Sequence, residues 1–186
     1  PDDKIIVVGK FNSFNNITRN NIVRLNSDGT IDTTFNVGTA TNDRISSIKL
    51  KSNNKILIGG NFTSYNNVAI SKMAIINYDG SLDTTFNINS SATPGSLISI
   101  ELQTDNKIIA SFFNTSLWGG NAWGYIKRFN QDGTLDNTFL ANNSAFVSTT
   151  GGAYSRAYIY DIKQLSNNQI LVAGNFVSIF GQAFGG

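Results

Sequence analysis

Cysteine and histidine are both absent from the 186 residues. That removes thiol nucleophiles, zinc sites of the Cys/His type and every catalytic triad that works through an imidazole. It also removes disulfides as a guide to compartment. Glutamate occurs once, at Glu101, and charged residues make up only 14% of the chain. The net charge is +2 and the basic residues are scattered, so there is no stripe of the kind nucleic acid requires. No apolar run approaches the roughly 20 residues of a spanning helix, and membrane insertion is not expected. No segment keeps a 3.6-residue apolar period either, which leaves no helix to pack against a sheet.

What remains is a chain with 40% hydrophobic residues, whose polar positions are mostly Asn, Ser, Thr and Gly. Such a surface is commoner in secreted and virion-surface proteins than in cytosolic enzymes. Within it one phrase occurs three times: Asn26-Ser27-Asp28-Gly29-Thr30-Ile31-Asp32-Thr33-Thr34-Phe35, Asn77-Tyr78-Asp79-Gly80-Ser81-Leu82-Asp83-Thr84-Thr85-Phe86, and Asn130-Gln131-Asp132-Gly133-Thr134-Leu135-Asp136-Asn137-Thr138-Phe139. The Asp-Gly pairs begin at 28, 79 and 132, intervals of 51 and 53 residues. A fixed interval in this range marks a repeat architecture.

A β-branched run also recurs, as Lys4-Ile5-Ile6-Val7-Val8-Gly9, Lys55-Ile56-Leu57-Ile58-Gly59, Lys107-Ile108-Ile109-Ala110 and Gln169-Ile170-Leu171-Val172-Ala173. Each follows a polar pair (Asp2-Asp3, Asn53-Asn54, Asp105-Asn106, Asn167-Asn168) that tolerates the positive φ of a primed hairpin turn. Upstream lies a second strand, Ile45-x-x-Ile48-x-Leu50 and Leu97-Ile98-x-Ile100-x-Leu102, matched loosely by Tyr158-x-Tyr160-x-Ile162. Downstream come aromatic-Asn loops, such as Phe11 to Asn16 and Phe62 to Asn67. A third strand then leads through the Asp-Gly turn into a short fourth.

Four short antiparallel strands in about fifty residues, without helices, are the signature of a β-propeller blade. A linear β-solenoid is the runner-up, but its units are shorter and lack two hairpin turns each. The fold class is therefore all-β, with blades at about 1–36 (partial), 45–87, 97–140 and 157–186 (partial) of one propeller. Ile48, Leu50, Ile56, Ile58, Ile76, Leu82 and Phe86 should be buried between sheets, with Leu25, Ile31 and Phe35 equivalent. Ala141 to Arg156, the largest departure from the period, should project as a loop. Dividing the chain by its period leaves fewer than the 4–8 blades of a closed propeller. It is expected to be an incomplete propeller, a piece of a longer polypeptide completed by further repeats or by another chain.

The phrase Asp-Gly-Ser/Thr-Ile/Leu-Asp-x-Thr-Phe, with Asp-Asn-Lys-Ile-Ile and Gly-Asn-Phe, resembles the bacterial delta-sixty repeat, a β-propeller repeat of unknown function. The resemblance spans nearly the whole chain and implies a large, repetitive, exported or cell-surface protein, bacterial or phage-encoded, with no catalytic residues to carry over. The third unit departs from the pattern, with Phe112-Phe113-Asn114 in place of Gly-Asn-Phe.

Three chemistries compete with a purely structural role. A calcium loop built on Asp28-Gly29 would place Arg24 and Phe35 at ligand positions, and neither binds Ca²⁺; a hairpin turn with Asp32 accepting backbone amides is preferred, and no metal or other cofactor is expected. A glycosidase needs paired carboxylates, and the recurring acids do a job done once per blade. Only Asp43, Glu101 and Asp161 break the symmetry, and nothing in the sequence joins them, so the chain is not expected to be an enzyme. Aromatics on Gly-rich loops can stack on sugars or anchor a partner. Trp118, Trp123, Tyr154, Tyr158 and Tyr160 are the candidates, although filling the groove between blades is the preferred role. The Asn-x-Ser/Thr sequons at Asn16, Asn61, Asn89, Asn114 and Asn142 carry little weight in so Asn-rich a chain. The expected function is a non-catalytic scaffold or interaction module outside the cell or on a virion, ahead of a glycan-binding module and, last, a propeller hydrolase.

Overall fold

Each β-branched run that follows a polar pair forms a strand in a computed structural model that describes residues 3–93, 95–115, 122–139, 145–147, 157–176, 178–179 and 182–183. Apart from one 3-10 turn at Ser90–Ala92, every regular element among the described residues is a strand. No described helix is long and apolar enough to cross a membrane. The chain divides into two units, Pro1–Ile88 and Asn89–Gly186.

In the first unit β1 (Ile5–Val8), β2 (Ser13–Phe14), β3 (Ile17–Thr18) and β4 (Ile22–Leu25) are followed by β5 (Ile45–Leu50), β6 (Ile56–Gly60), β7 (Ser64–Tyr65), β8 (Val68–Ala69) and β9 (Met73–Ile76). β1 pairs antiparallel with β4, and β6 lies between β5 and β9. The fourth strand of each sheet shrinks to one bridge, Leu25 to Ile31 and Ile76 to Leu82. β2–β3 and β7–β8 are separate small hairpins.

Two turns per repeat share one hydrogen-bond pattern. Asn54 N–H donates to the Lys51 carbonyl (3.1 Å) and Lys51 N–H to that of Lys55 (2.8 Å), with Asn54 at φ 60°. This is a type I turn closed by one left-handed residue. The Asp-Gly turns repeat it, with Gly29, Gly80 and Gly133 at φ 84°, 92° and 93°. The polar pairs are therefore not primed two-residue turns. In the three pairs described in full only the second member, Asn54, Asn106 or Asn168, takes positive φ, as Asp3 does too, because a three-residue loop needs one such residue. Primed turns do occur at Asn15-Asn16 (φ 47° and 62°) and Asn66-Asn67 (φ 46° and 64°). These close β2–β3 and β7–β8 inside the stretches expected to be open loops.

β5 and its counterparts in the later repeats carry a β-bulge at one equivalent position. Pairing of β5 with β6 shifts between Ile45 and Ser47. In the second unit, β10 (Ser96–Leu102) and β11 (Ile108–Thr115) shift between Leu97 and Ser99, and β14 (Tyr158–Gln164) and β15 (Ile170–Asn175) between Ile159 and Asp161. A bulge inserts one unpaired residue and so breaks strict alternation. The counterparts of Ile45 and Ile48 are therefore Ile159 and Ile162, both 1% exposed, and not Tyr158 and Tyr160.

The first unit's core gathers Ile22, Phe35, Ile45, Ile56, Ile58, Phe62, Tyr65 and Ile76. Leu25, Phe35, Ile56, Ile58, Ile76 and Phe86 are buried as expected, and Ile31, Ile48 and Leu82 are half-buried. Leu50 is not buried; it is 70% exposed. It ends the edge strand β5 beside a turn, on the rim of an open pocket of ≈350 Å³ lined with Ile6, Arg24, Ile56 and Tyr78.

In the second unit, β12 (Ala122–Phe129), β13 (Ala145–Val147), β16 (Ser178–Ile179) and β17 (Gln182–Ala183) complete one sheet of order β10-β11-β12-β13-β16-β17. β14 and β15 form their own hairpin, and the fourth strand is again a single bridge, Phe129 to Leu135. The tract expected to project as a loop contains β13, which pairs with β12 through Gly124–Phe146 and Tyr125–Ala145. The bridge at Phe129 leaves the far part of β12 unpaired on that side, and Ala-Phe-Val takes up its open edge. The rest of Ala141 to Arg156 lies outside the described residues.

Candidate functional site

The recurring acids divide their oxygens between two tasks. Asp32 Oδ1 accepts the backbone N–H (3.0 Å) and hydroxyl (2.6 Å) of Thr34. Asp83 with Thr85 and Asp136 with Thr138 repeat both distances. The second oxygen takes a cation from the start of the strand run: Lys4 Nζ to Asp32 at 2.6 Å, Lys55 to Asp83 at 2.7 Å and Lys107 to Asp136 at 2.8 Å. The β-branched run of each repeat is thereby clamped to the turn after the fourth-strand bridge. Asp28, Asp79 and Asp132 likewise cap their own turns, each accepting the N–H of the residue two ahead at 2.9 Å. No group of three potential ligands that could hold a metal ion occurs among the described residues.

An arginine joins the clamp in the first and third repeats. Arg24 Nε reaches Asp32 at 2.6 Å and Arg128 Nε reaches Asp136 at 2.8 Å, whereas Ile75 stands at that place in the second. Arg24 is 2% exposed, with its guanidinium 4.6 Å from the Phe35 ring centre and 4.3 Å from that of Tyr78. It also donates to the Tyr78 carbonyl, which ties the first repeat to the second. Asn36 N–H to the Asp79 carbonyl (2.7 Å) and Tyr65 hydroxyl to that of Gly80 (2.6 Å) secure the same turn.

Burial alone would raise the Asp32 carboxyl, but the donors from Lys4, Thr34 and Arg24 outweigh it and hold the group well below the usual carboxylate range. Asp83 is lowered in the same way, burial opposing and Lys55 and Thr85 prevailing. The hydrogen bond from Lys107, followed by that from Thr138, brings Asp136 well below that range. Burial pushes the Tyr65 phenol up. Carboxylates so firmly ionised and engaged are poor general acids.

Of the acids that break the repeat symmetry, Asp43 lies in the first unit, 3.4 Å from Lys10 and accepting the Arg44 N–H at 2.7 Å. Glu101 and Asp161 both lie in the second unit, where β10 packs against β14, but they bond to different partners. Glu101, 2% exposed, accepts Lys163 Nζ at 2.8 Å and the Gln164 N–H at 3.1 Å. Asp161 accepts the Ser99 hydroxyl at 2.9 Å. These contacts stitch neighbouring strand pairs together.

Among the candidate aromatics, Tyr158 and Tyr160 come together. Tyr158 stacks on Phe113 (centroids 4.1 Å, 13°) and on Tyr160 (6.0 Å, 12°), and Tyr160 is 61% exposed. Trp123 is exposed too, but it pairs with Asn114 rather than Phe113, so the pleat turns it to the opposite face of the sheet from Phe113. Trp118 and Tyr154 lie outside the described residues. Sequence reasoning missed Phe113 in this stack, Lys4, Lys55 and Lys107 in the clamp, and Arg24 between its rings. The lysines had a signal, since one opens each of the first three strand runs.

A model of the family described as a domain of unknown function (DUF5122) beta-propeller matches residues 1–35, 51–86 and 103–139. Each match starts at the turn before a clamp lysine and ends at or beside the phenylalanine of the repeated phrase. No curated protein matches the chain.

Proposed function

Since the chain belongs to this DUF5122 β-propeller family, we propose that it is a non-catalytic scaffold or interaction module of an exported bacterial surface protein or a phage structural protein. The observation that carries this reading is the clamp: the recurring acids are engaged in the same structural contact in each matched repeat. The repeated phrase supports reading the units as delta-sixty repeats, with blades at about 1–36, 45–87, 97–140 and 157–186. Further repeats of the same polypeptide, or another protein chain, are the partners. An Asn- and Thr-rich surface with few charges supports a place outside the cell or on a virion. The stacked Tyr158 and Tyr160 favour a second reading, a glycan-binding module, because exposed rings suit the flat faces of sugars.

Two measurements test the main reading. Chromogenic glycosides incubated with the chain should stay intact; turnover abolished by Glu101→Gln or Asp161→Asn would establish a hydrolase instead. A membrane-impermeant amine label applied to intact cells producing the full-length protein should reach its lysines. Labelling only after lysis would overturn the surface location.

A further inference from the structure

We propose that the first unit carries a binding site for a neutral carbohydrate in the groove between its two small hairpins. β2–β3, the connection Thr39 to Asn42 and β7–β8 all leave the sheets at the end opposite the Asp-Gly turns. Between them lies a groove of ≈610 Å³, within the usual range for a small-ligand site.

Its chemistry selects the ligand. The side chains of Asn12 and Asn67 line it and make no hydrogen bond among the described residues. Asn20 uses only its amide nitrogen, donating to the Thr39 carbonyl at 3.2 Å, so its oxygen remains an acceptor. Side-chain amides offer donor and acceptor together, which matches the paired hydroxyls of a sugar ring. Thr41, 2% exposed, also lines the groove, and its hydroxyl has no partner among the described residues. Buried hydroxyls nearly always have a partner, and this one stands on the wall of a groove where a ligand hydroxyl can supply it. Phe11 adds a half-buried ring, the flat apolar surface on which the C–H face of a pyranose packs.

Charge excludes the alternatives. Among the described residues that line the groove, Lys10 is the one cation, it is paired with Asp43 at 3.4 Å, and none is a carboxylate. An anion has no unopposed positive charge there, and a metal ion has no ligand set. The site uses none of the candidate aromatics and so stands apart from the glycan reading based on Tyr158 and Tyr160.

The test is saturation-transfer NMR on the 186-residue chain with glucose, mannose, galactose and N-acetylglucosamine, each at millimolar concentration, and with inorganic phosphate and glucuronate as charged comparisons. At least one neutral sugar should receive saturation and shift the side-chain amide signals of Asn12 and Asn67. Phe11→Ala should weaken that sugar by about tenfold, near the upper end of what a ring contact contributes. Asn12→Ala, an exposed change that leaves the core alone, should weaken it several-fold even if Phe11→Ala proves unstable. Tyr160→Ala should leave it unchanged. No transfer to any neutral sugar, stronger binding of phosphate or glucuronate, or binding lost with Tyr160→Ala and kept with Asn12→Ala would each overturn the proposal.

Discussion

The second and third repeats begin with the same strand pair and then part company. In the second, β6 stops at Gly60, where an added Cβ would sit 2.1 Å from the Arg44 carbonyl oxygen. The chain leaves the sheet there, buries Phe62 and Tyr65, turns through Asn66-Asn67 and returns at Lys72. In the third, Phe112 occupies the place of Gly60, and β11 runs on in unbroken register with β12 as far as Thr115–Ala122. The close approach survives, but the strands have exchanged roles. The glycine is now Gly95, before β10, and its Cβ would lie 2.1 Å from the Phe113 carbonyl oxygen. The repeat that grows a side hairpin and the repeat with the longer sheet thus differ first at this place. The crossing needs a glycine on one strand or the other.

The comparison breaks most visibly at Phe112. It is fully buried and meets Phe129 edge-on at 6.3 Å, so Phe112→Ala should cost about 3–5 kcal/mol in urea unfolding. A loss below about 1 kcal/mol would show that the long hairpin does not depend on this anchor.

The clamp sharpens the contrast next. Asp136 holds a lysine and an arginine, and Asp83 a lysine alone. Asp136→Asn should cost about 1.5–3 kcal/mol at pH 7, the usual worth of hydrogen bonds to charged groups, and Asp83→Asn less. Both carboxyls are lowered in the folded protein, so the unfolded chain binds more protons near its ordinary carboxylate value of about 3.9. Their contribution is full above that value and is lost as pH falls towards the folded values. The parent should therefore lose stability steeply below about pH 4, and Asp136→Asn less steeply. Parallel acid-unfolding curves would refute this account of the pair.

Gly60→Ala tests the crossing itself. Its Cβ would meet backbone, which cannot swing aside, and a cost of about 1–3 kcal/mol is expected by thermal unfolding. An unchanged melting temperature would mean that β6 can leave the sheet without a glycine.

What the sequence disclosed was mostly local or periodic. Phe35 and Phe86 were legible as core because they recur with the period, and the Asp–Thr contacts because their partners lie two residues apart. The bulges were not, since Ser46, Ile98 and Tyr160 share no chemistry and register depends on the partner strand. That is why Tyr160 could be mistaken for a core position. Glu101 was seen to be singular, but its partners Lys163 and Gln164 come from the following strand pair, 62 and 63 residues on, where no local pattern points. The groove beside Phe11 escaped notice because Asn12, Asn20 and Asn67 look like any other asparagine in so Asn-rich a chain.

The clamp also bears on how such chains arise. Its lysine and aspartate are separated by 28, 28 and 29 residues, always inside one matched segment. A segment therefore carries both halves of its own closure and can gather over a short loop without waiting for its neighbours, as in other repeat arrays. At the level of the gene, a tandem duplication or deletion with segment ends as its breakpoints never parts the two charges. Gain or loss of a repeat leaves neither charge of a clamp orphaned, so length is a property such a lineage can vary freely.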